Sequence, residues 1–207
     1  MLSSFLQKTV QSISTVIDGV KYTVETGKNY AIVGVLGQTV CNAIDKSTFS
    51  SNAINLKTSV TINSKTYDVL EIAPYAFFQY KSFQNIILSQ KLIKIGQNAF
   101  DQGLHSIDVL VIPDSVLYLG NYCFATSNIK ILKLGKNINE IGFCICGMNI
   151  FLEKIIVDPD NHYFAHDALY NLYSKDYSVL YQVNAIQEHY TTPQTVKLIK
   201  TQAFDGI

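Results

Sequence analysis

Two apolar signatures recur along the chain in a constant order. The first reads aliphatic, small, two variable positions, small, aromatic. It occurs as Ile72-Ala73-Pro74-Tyr75-Ala76-Phe77, Ile95-Gly96-Gln97-Asn98-Ala99-Phe100 and Leu119-Gly120-Asn121-Tyr122-Cys123-Phe124. A looser copy is Ile141-Gly142-Phe143-Cys144-Ile145-Cys146, and the last is Ile199-Lys200-Thr201-Gln202-Ala203-Phe204. Measured between leading aliphatic residues, the steps are 23, 24, 22 and 58. The second signature keeps the same phase: Phe83-x-x-Ile86-x-Leu88, Ile107-x-x-Leu110-x-Ile112, Ile129-x-x-Leu132-x-Leu134 and Leu152-x-x-Ile155-x-Val157. Leu92, Val116 and Ile138 follow, each three residues before an aliphatic-small pair. Alternation within the second signature predicts a short strand with one face inward. Pro113 and Gly135 stand where such a strand must stop, and Gly96, Gly120 and Gly142 mark a tight bend at one corner of each unit.

A unit of this size cannot bury its own apolar face, so neighbours must stack into a solenoid. The expected fold class is β-rich, with short helical or 3-10 turns between strands. Stacking would align Phe77, Phe100, Phe124 and Phe204 in one aromatic column, with Cys146 as the odd member. The 58-residue step equals one coil plus an insertion of about 35 residues. Within it, Ala168–Tyr173 and Val179–Tyr181 flank Ser174-Lys175-Asp176, a β-hairpin signature. Upstream, Lys21–Glu25, Tyr30–Leu36 and Val60–Ile62 read as further strands, separated by Thr26-Gly27-Lys28-Asn29 and by a polar stretch from Asp45 to Asn55. They form a natural cap over the first coil. The expected organisation is an amphipathic lead-in (1–17) whose Leu2, Phe5, Leu6, Val10 and Ile13 fall near helical spacing, a β-rich cap (18–70), the coils (71–157), the inserted hairpin (158–188) and a final, incomplete coil (189–207).

The consensus LxxIxIPxSVxxIGxxAF, cleanest from Ile107 to Phe124, resembles the BspA-like leucine-rich repeat family. Asp18-Gly19-Val20-Lys21-Tyr22-Thr23-Val24 is similar to the "DGxxYxV" opening common there, and Asn63-Ser64-Lys65-Thr66-Tyr67-Asp68-Val69 to its "NGKxYxV" entry into the first coil. Asn161 through Leu180 is similar to its "NxxY…LYsKD…L" insertion. The resemblance covers about residues 16–207 and departs mainly at Ile145-Cys146. It implies a non-enzymatic surface antigen or adhesion-type protein that acts by contact with a protein partner. It also implies a cell-surface location, with an intracellular scaffold in the cytoplasm as the alternative.

Composition narrows the classes further. The chain has 207 residues, 48% hydrophobic, 12% aromatic and only 15% charged, with 16 basic side chains against 16 acidic. A net charge of zero argues against a broad grip on nucleic acid. No apolar run reaches the roughly 18 residues of a membrane span, the first twenty residues do not read as a secretory signal, and no Asn is followed two positions on by Ser or Thr. Cys41, Cys123, Cys144 and Cys146 read as buried free thiols.

Chemistry is sparse. There is no nucleophile elbow or P-loop, and Gly34-Val35-Leu36-Gly37 reads as a strand-end turn. The sharpest metal candidate, His162-x-x-x-His166 with Asp158, Asp160 and Asp167, depends on a helix that Pro159 and the hairpin context oppose. No residue is therefore assigned a catalytic, cofactor or metal role. For binding, the strand positions between the inward aliphatics are Asn85, Ile87, Val109, Val111, Ile131, Lys133, Lys154 and Ile156. Five of these eight are β-branched aliphatics, an apolar stripe expected on the concave side as a candidate partner surface. The last unit ends at Ala203-Phe204-Asp205 without a polar cap, which makes either a longer parent protein or self-association through that coil a further expectation.

Overall fold

A computed structural model describes residues 12–81, 83–184 and 189–205. Two hairpins begin the cap. β1 (Ser12–Ile17) pairs antiparallel with β2 (Val20–Glu25) across a two-residue turn in which Asp18 and Gly19 both take positive φ, 52° and 74°. That geometry is the one whose twist matches the flanking strands. The helical spacing of the lead-in does not survive here, since Ile13 lies in β1; residues 1–11 lie outside the described residues. β3 (Ala31–Val33) joins β2 to β6 (Lys65–Ile72), which forms the second hairpin with β5 (Ser59–Ile62).

The coils then stack in two registers. On one side β6 is extended by β8 (Lys94–Ile95), β10 (Tyr118–Leu119) and β12 (Glu140–Ile141), all parallel. On the other, β4 (Ala53–Asn55) pairs with β7 (Asn85–Ile87), and β9 (Ile107–Val111), β11 (Ile129–Leu134) and β13 (Lys154–Val157) form a parallel sheet. Between them the inward residues Leu92, Ile95, Leu110, Ile112, Val116, Leu119, Leu132 and Ile138 are almost wholly buried in one continuous core.

No helical turn occurs among the described residues; the corners are tight turns. The cause is a left-handed residue at the same place in each coil: Tyr75, Asn98, Tyr122, Cys144 and Gln202 have φ between 52° and 59°. A left-handed residue interrupts helical hydrogen bonding, and the freed amides reach the next coil. Tyr75 N–H donates to Gln97 O (3.0 Å), Asn98 N–H to Asn121 O (3.0 Å) and Tyr122 N–H to Phe143 O (3.2 Å).

The inserted stretch folds as β14 (Phe164–His166), β15 (Leu172–Ser174) and β16 (Val179–Gln182), with β15 and β16 antiparallel. β16 then imitates a coil. Gly96, Gly120 and Gly142 N–H each donate to the aliphatic residue of the preceding coil, and Lys200 N–H donates in the same way to Leu180 O (2.9 Å). β17 (Leu198–Ile199) accordingly pairs with β16, not with β12. Val183 N–H donates to Ala203 O (2.7 Å), the bond that Phe100 and Phe124 make to the coil after their own, while Cys146 N–H turns to Gln182 Oε1 (3.2 Å).

This wedge shortens the aromatic column. Phe77 stacks on Phe100 at 4.9 Å, and Phe100 on Phe124 at 5.7 Å. Buried Cys146 follows, and the column stops there. Phe204 lies 38% exposed against Tyr190, separated from the other rings by Gln182 and Val183. All four cysteines are free; Cys41 is half-buried and the other three are buried.

Candidate functional site

Parallel registration puts six of the eight candidate residues into two rows across the strands. Val109, Ile131 and Lys154 stand side by side in one, and Val111, Lys133 and Ile156 in the other. Asn85 and Ile87 lie on β7, in a separate sheet, paired with Ala53 and Asn55 of β4. Ile87, Val109 and Val111 are 54%, 45% and 55% exposed, whereas Ile131, Lys154 and Ile156 are half-buried.

The column is not one sheet. Phe83 bridges Leu104 rather than Ile107, and His105 N–H donates to Phe83 O (2.7 Å). Ser106, at φ 61°, then turns the chain before β9 begins. The extra residue in this 24-residue step thereby throws β9 out of register with β7, and the two strands share no ladder. Residues 53 and 55 were hidden within the polar stretch from Asp45 to Asn55. Their signal is the buried pair Ile54 and Leu56, which alternates as Ile86 and Leu88 do.

Charge on the face is confined to two lysines. Lys130 and Lys136 beside it pair with Asp108 (2.6 Å) and Asp114 (3.7 Å), but neither Lys133 nor Lys154 belongs to an ion pair among the described residues. The Lys154 ammonium sits 5.0 Å from the ring centre of Tyr170, which also stacks on His166. Two depressions border the face. One, about 310 Å³, is lined by Ile17, Phe49, Ala53, Asn85 and Ile87; the other, about 270 Å³, by Val111, Lys133, Ile156 and Pro159, with Asp114 and Asp158 at its rim.

The histidines of the metal candidate serve other ends. His162 is exposed in a bend, and His166 closes the edge of β13, its Nδ1 accepting the Val157 N–H (3.1 Å). Asn161 is spent on backbone: its Nδ2 donates to Gly135 O and Ile138 O, and its Oδ1 accepts from Tyr163 and Phe164 N–H. Among the described residues no three His, Cys, Asp or Glu side chains are placed to hold a metal ion.

Burial holds the His166 imidazole below its ordinary range, with Asp167 pulling weakly the other way. An unfolded chain takes the proton first, so stability is complete above the unfolded value of about 6.5 and falls as the pH drops from there toward the folded value. Urea midpoints measured about one unit above and one unit below that pH should therefore differ more for the wild type than for His166→Gln, whose amide oxygen can accept the Val157 N–H without titrating. Equal pH differences in the two proteins would rule out His166 as the sensitive group.

Comparison with known proteins supplies the remaining observations. The description "BspA type Leucine rich repeat region (6 copies)" matches residues 42–175. Among curated proteins none matches the chain in sequence. Several solved structures share its fold. The pneumococcal vaccine antigen PcpA is 20% identical, with a TM-score of 0.53 over 92% of this chain and 61% of that one. A leucine-rich repeat protein from Eubacterium ventriosum is 18% identical, with a TM-score of 0.62 over 94% and 57%. Another from Bacteroides capillosus is 15% identical, with a TM-score of 0.57 over 70% and 98%. The chain thus spans about three fifths of the length of the first two.

Proposed function

This chain belongs to the family of BspA-type leucine-rich repeat proteins, and we propose that it is a non-enzymatic, surface-displayed adhesion-type protein that binds a partner protein across the β7, β9, β11 and β13 face. The observation that carries the reading is the exposure of Ile87, Val109 and Val111 on strands held in a rigid framework. Apolar side chains held out by strands lose little entropy on docking, and a contiguous apolar patch rimmed by polar residues is the usual mark of a protein interface. Lys133 and Lys154 favour a partner with acidic groups opposite them. The likeness in fold to the vaccine antigen PcpA supports display at a surface.

Val111→Asp should reduce binding to host matrix or cells at least tenfold in an immobilised-protein adhesion assay. Because Val111 is half out of the fold, its melting temperature should stay close to that of the wild type. Adhesion that persists undiminished in a folded Val111→Asp protein would remove this face from the reading. Biotinylation of intact expressing cells addresses the compartment: labelling supports display, and protection alongside a cytosolic control supports the intracellular scaffold.

A further inference from the structure

The eight-stranded sheet that runs from the cap into the coils begins at β1, and β1 has no strand on its outer side among the described residues. The hydrogen bonds of β2 show which groups this leaves open. Lys21, opposite Val16, donates its N–H to Ala43 O (2.7 Å) and accepts from Gly34 N–H (2.9 Å), while Thr23, opposite Ser14, pairs with Ile32 of β3. In an antiparallel pair, a residue that bonds away from its neighbour strand stands opposite one that does the same. Ser12, Ser14 and Val16 therefore turn their N–H and C=O groups to the outer edge. None of them bonds to anything beyond β2 among the described residues.

Such an edge is a template for a further strand, and proteins that must avoid one place a lysine, a proline or a bulge there. β1 has none of the three. Its sequence, Ser12-Ile13-Ser14-Thr15-Val16-Ile17, is uncharged and free of proline, and all six residues pair with β2 without a shift in register. Ile13 and Val16 are 37% and 38% exposed. The outer edge of β13 is treated differently: His166 Nδ1 accepts from Val157 N–H (3.1 Å), and Asn184 Nδ2 donates to Glu153 O. Side chains close that edge, and β1 stays open.

The order of side chains on β1 points to the occupant. On the face it shares with Val20, Tyr22 and Val24 it presents Ile13, Thr15 and Ile17, a series that reads the same in both directions. An isologous contact requires a surface complementary to itself. An antiparallel copy of β1, related by a two-fold axis at Thr15, meets that requirement. It sets Ile13 beside Ile17 of the partner subunit, and the two Thr15 side chains beside each other, pairings of the kind that stabilise sheets. The same register bonds the outward groups of Ser14 to those of Val16 of the partner subunit. No like charges meet across the axis, because the strand carries none. We propose that β1 pairs antiparallel with β1 of a second copy of this chain, joining their sheets into one.

Sedimentation of the full chain tests it. Pairing one strand buries less than a standard interface of roughly 1,600 Å², so a dimer with a dissociation constant of about 100 μM or tighter is expected. Ser14→Pro removes an outward amide that the single chain does not use, and should abolish the dimer at a near-wild-type melting temperature. Ile13→Lys, exposed enough to be tolerated, should weaken the dimer at least tenfold. Leu198→Asp, at a 50% exposed position of the final coil, should leave it unchanged. Thr15→Cys, on the axis, should give a disulfide-linked dimer on air oxidation that the wild type, with its half-buried Cys41, does not give. A monomer at every concentration would overturn the proposal, as would a dimer lost in Leu198→Asp but kept in Ser14→Pro and Ile13→Lys. Should Ser14→Pro fail to fold, cross-linking of Thr15→Cys no greater than that of the wild type would overturn it. Slow amide exchange at Ser14 and Val16 in a monomer would give the edge to another segment of the same chain, and would overturn it too.

Discussion

Gly120→Ala is expected to destabilise the protein by about 3 kcal/mol or more, at the upper end of what overpacking costs. A Cβ built on Gly120 would lie 2.4 Å from Gln97 N and 2.7 Å from Gly96 C, both backbone atoms of the preceding coil. Neither can move without parting the coils, because Gly120 N–H is itself bonded to Ile95 O at 2.9 Å. Gly96 and Gly142 make the same close approach to the coils before them. The sequence suggests a glycine chosen for a bend, yet Gly120 is absent from the left-handed positions; the requirement is room for a neighbouring backbone. A loss of this size lowers the melting temperature by roughly 10 °C in a domain of this length. In a solenoid stabilised by nearest-neighbour interfaces it should also uncouple the two halves, splitting one thermal transition into two. Gly27→Ala is the control: its Cβ would meet nothing within 4 Å, so only its φ of 87° is penalised, at about 1 kcal/mol. Equal losses in the two variants would defeat the close-packing account.

The second large effect is Phe100→Ala, with an expected loss of about 3–5 kcal/mol. Phe100 is completely buried and is the middle ring of the column, touching Phe77 on one side and Phe124 on the other. Truncation leaves a cavity between two coils that cannot close without breaking their strand ladders. Phe204→Ala removes the same side chain from the same motif, yet should cost only about 1 kcal/mol, because Phe204 is partly in solvent and rests on Tyr190 alone among the described rings. Chemical denaturation of both variants tests the wedge formed by Gln182 and Val183. Matching losses would mean that Phe204 is buried as its counterparts are, and that the final coil stacks fully on its predecessor.

The contrast between these two phenylalanines indicates how much of the fold can be read along the chain. Alternation at Ile107, Leu110 and Ile112, and at Ile129, Leu132 and Leu134, specifies which side chains turn inward, and those six are buried. The inserted hairpin was equally legible from its flanking β-prone runs and polar turn. The candidate face followed by subtraction, since the residues between inward positions must point out. Less visible was β4, whose alternation spans too few residues to stand out from a polar stretch. The break between β7 and β9 was also missed. It arises from one additional residue near Ser106, and a single insertion looks harmless until backbone pairing shows where the slack is taken up.

The sequence by itself determined the period of the coil, the strand phase, the inward positions and the insertion, because each is expressed in spacings shorter than one repeat. Only the tertiary structure decided which backbone stacks on which. That choice set the burial of Phe100 against the exposure of Phe204, and made room rather than bending the requirement at Gly120. Such outcomes depend on contacts between residues far apart in the chain, whose energies come from close approach and exclusion of water, and no local pattern records them.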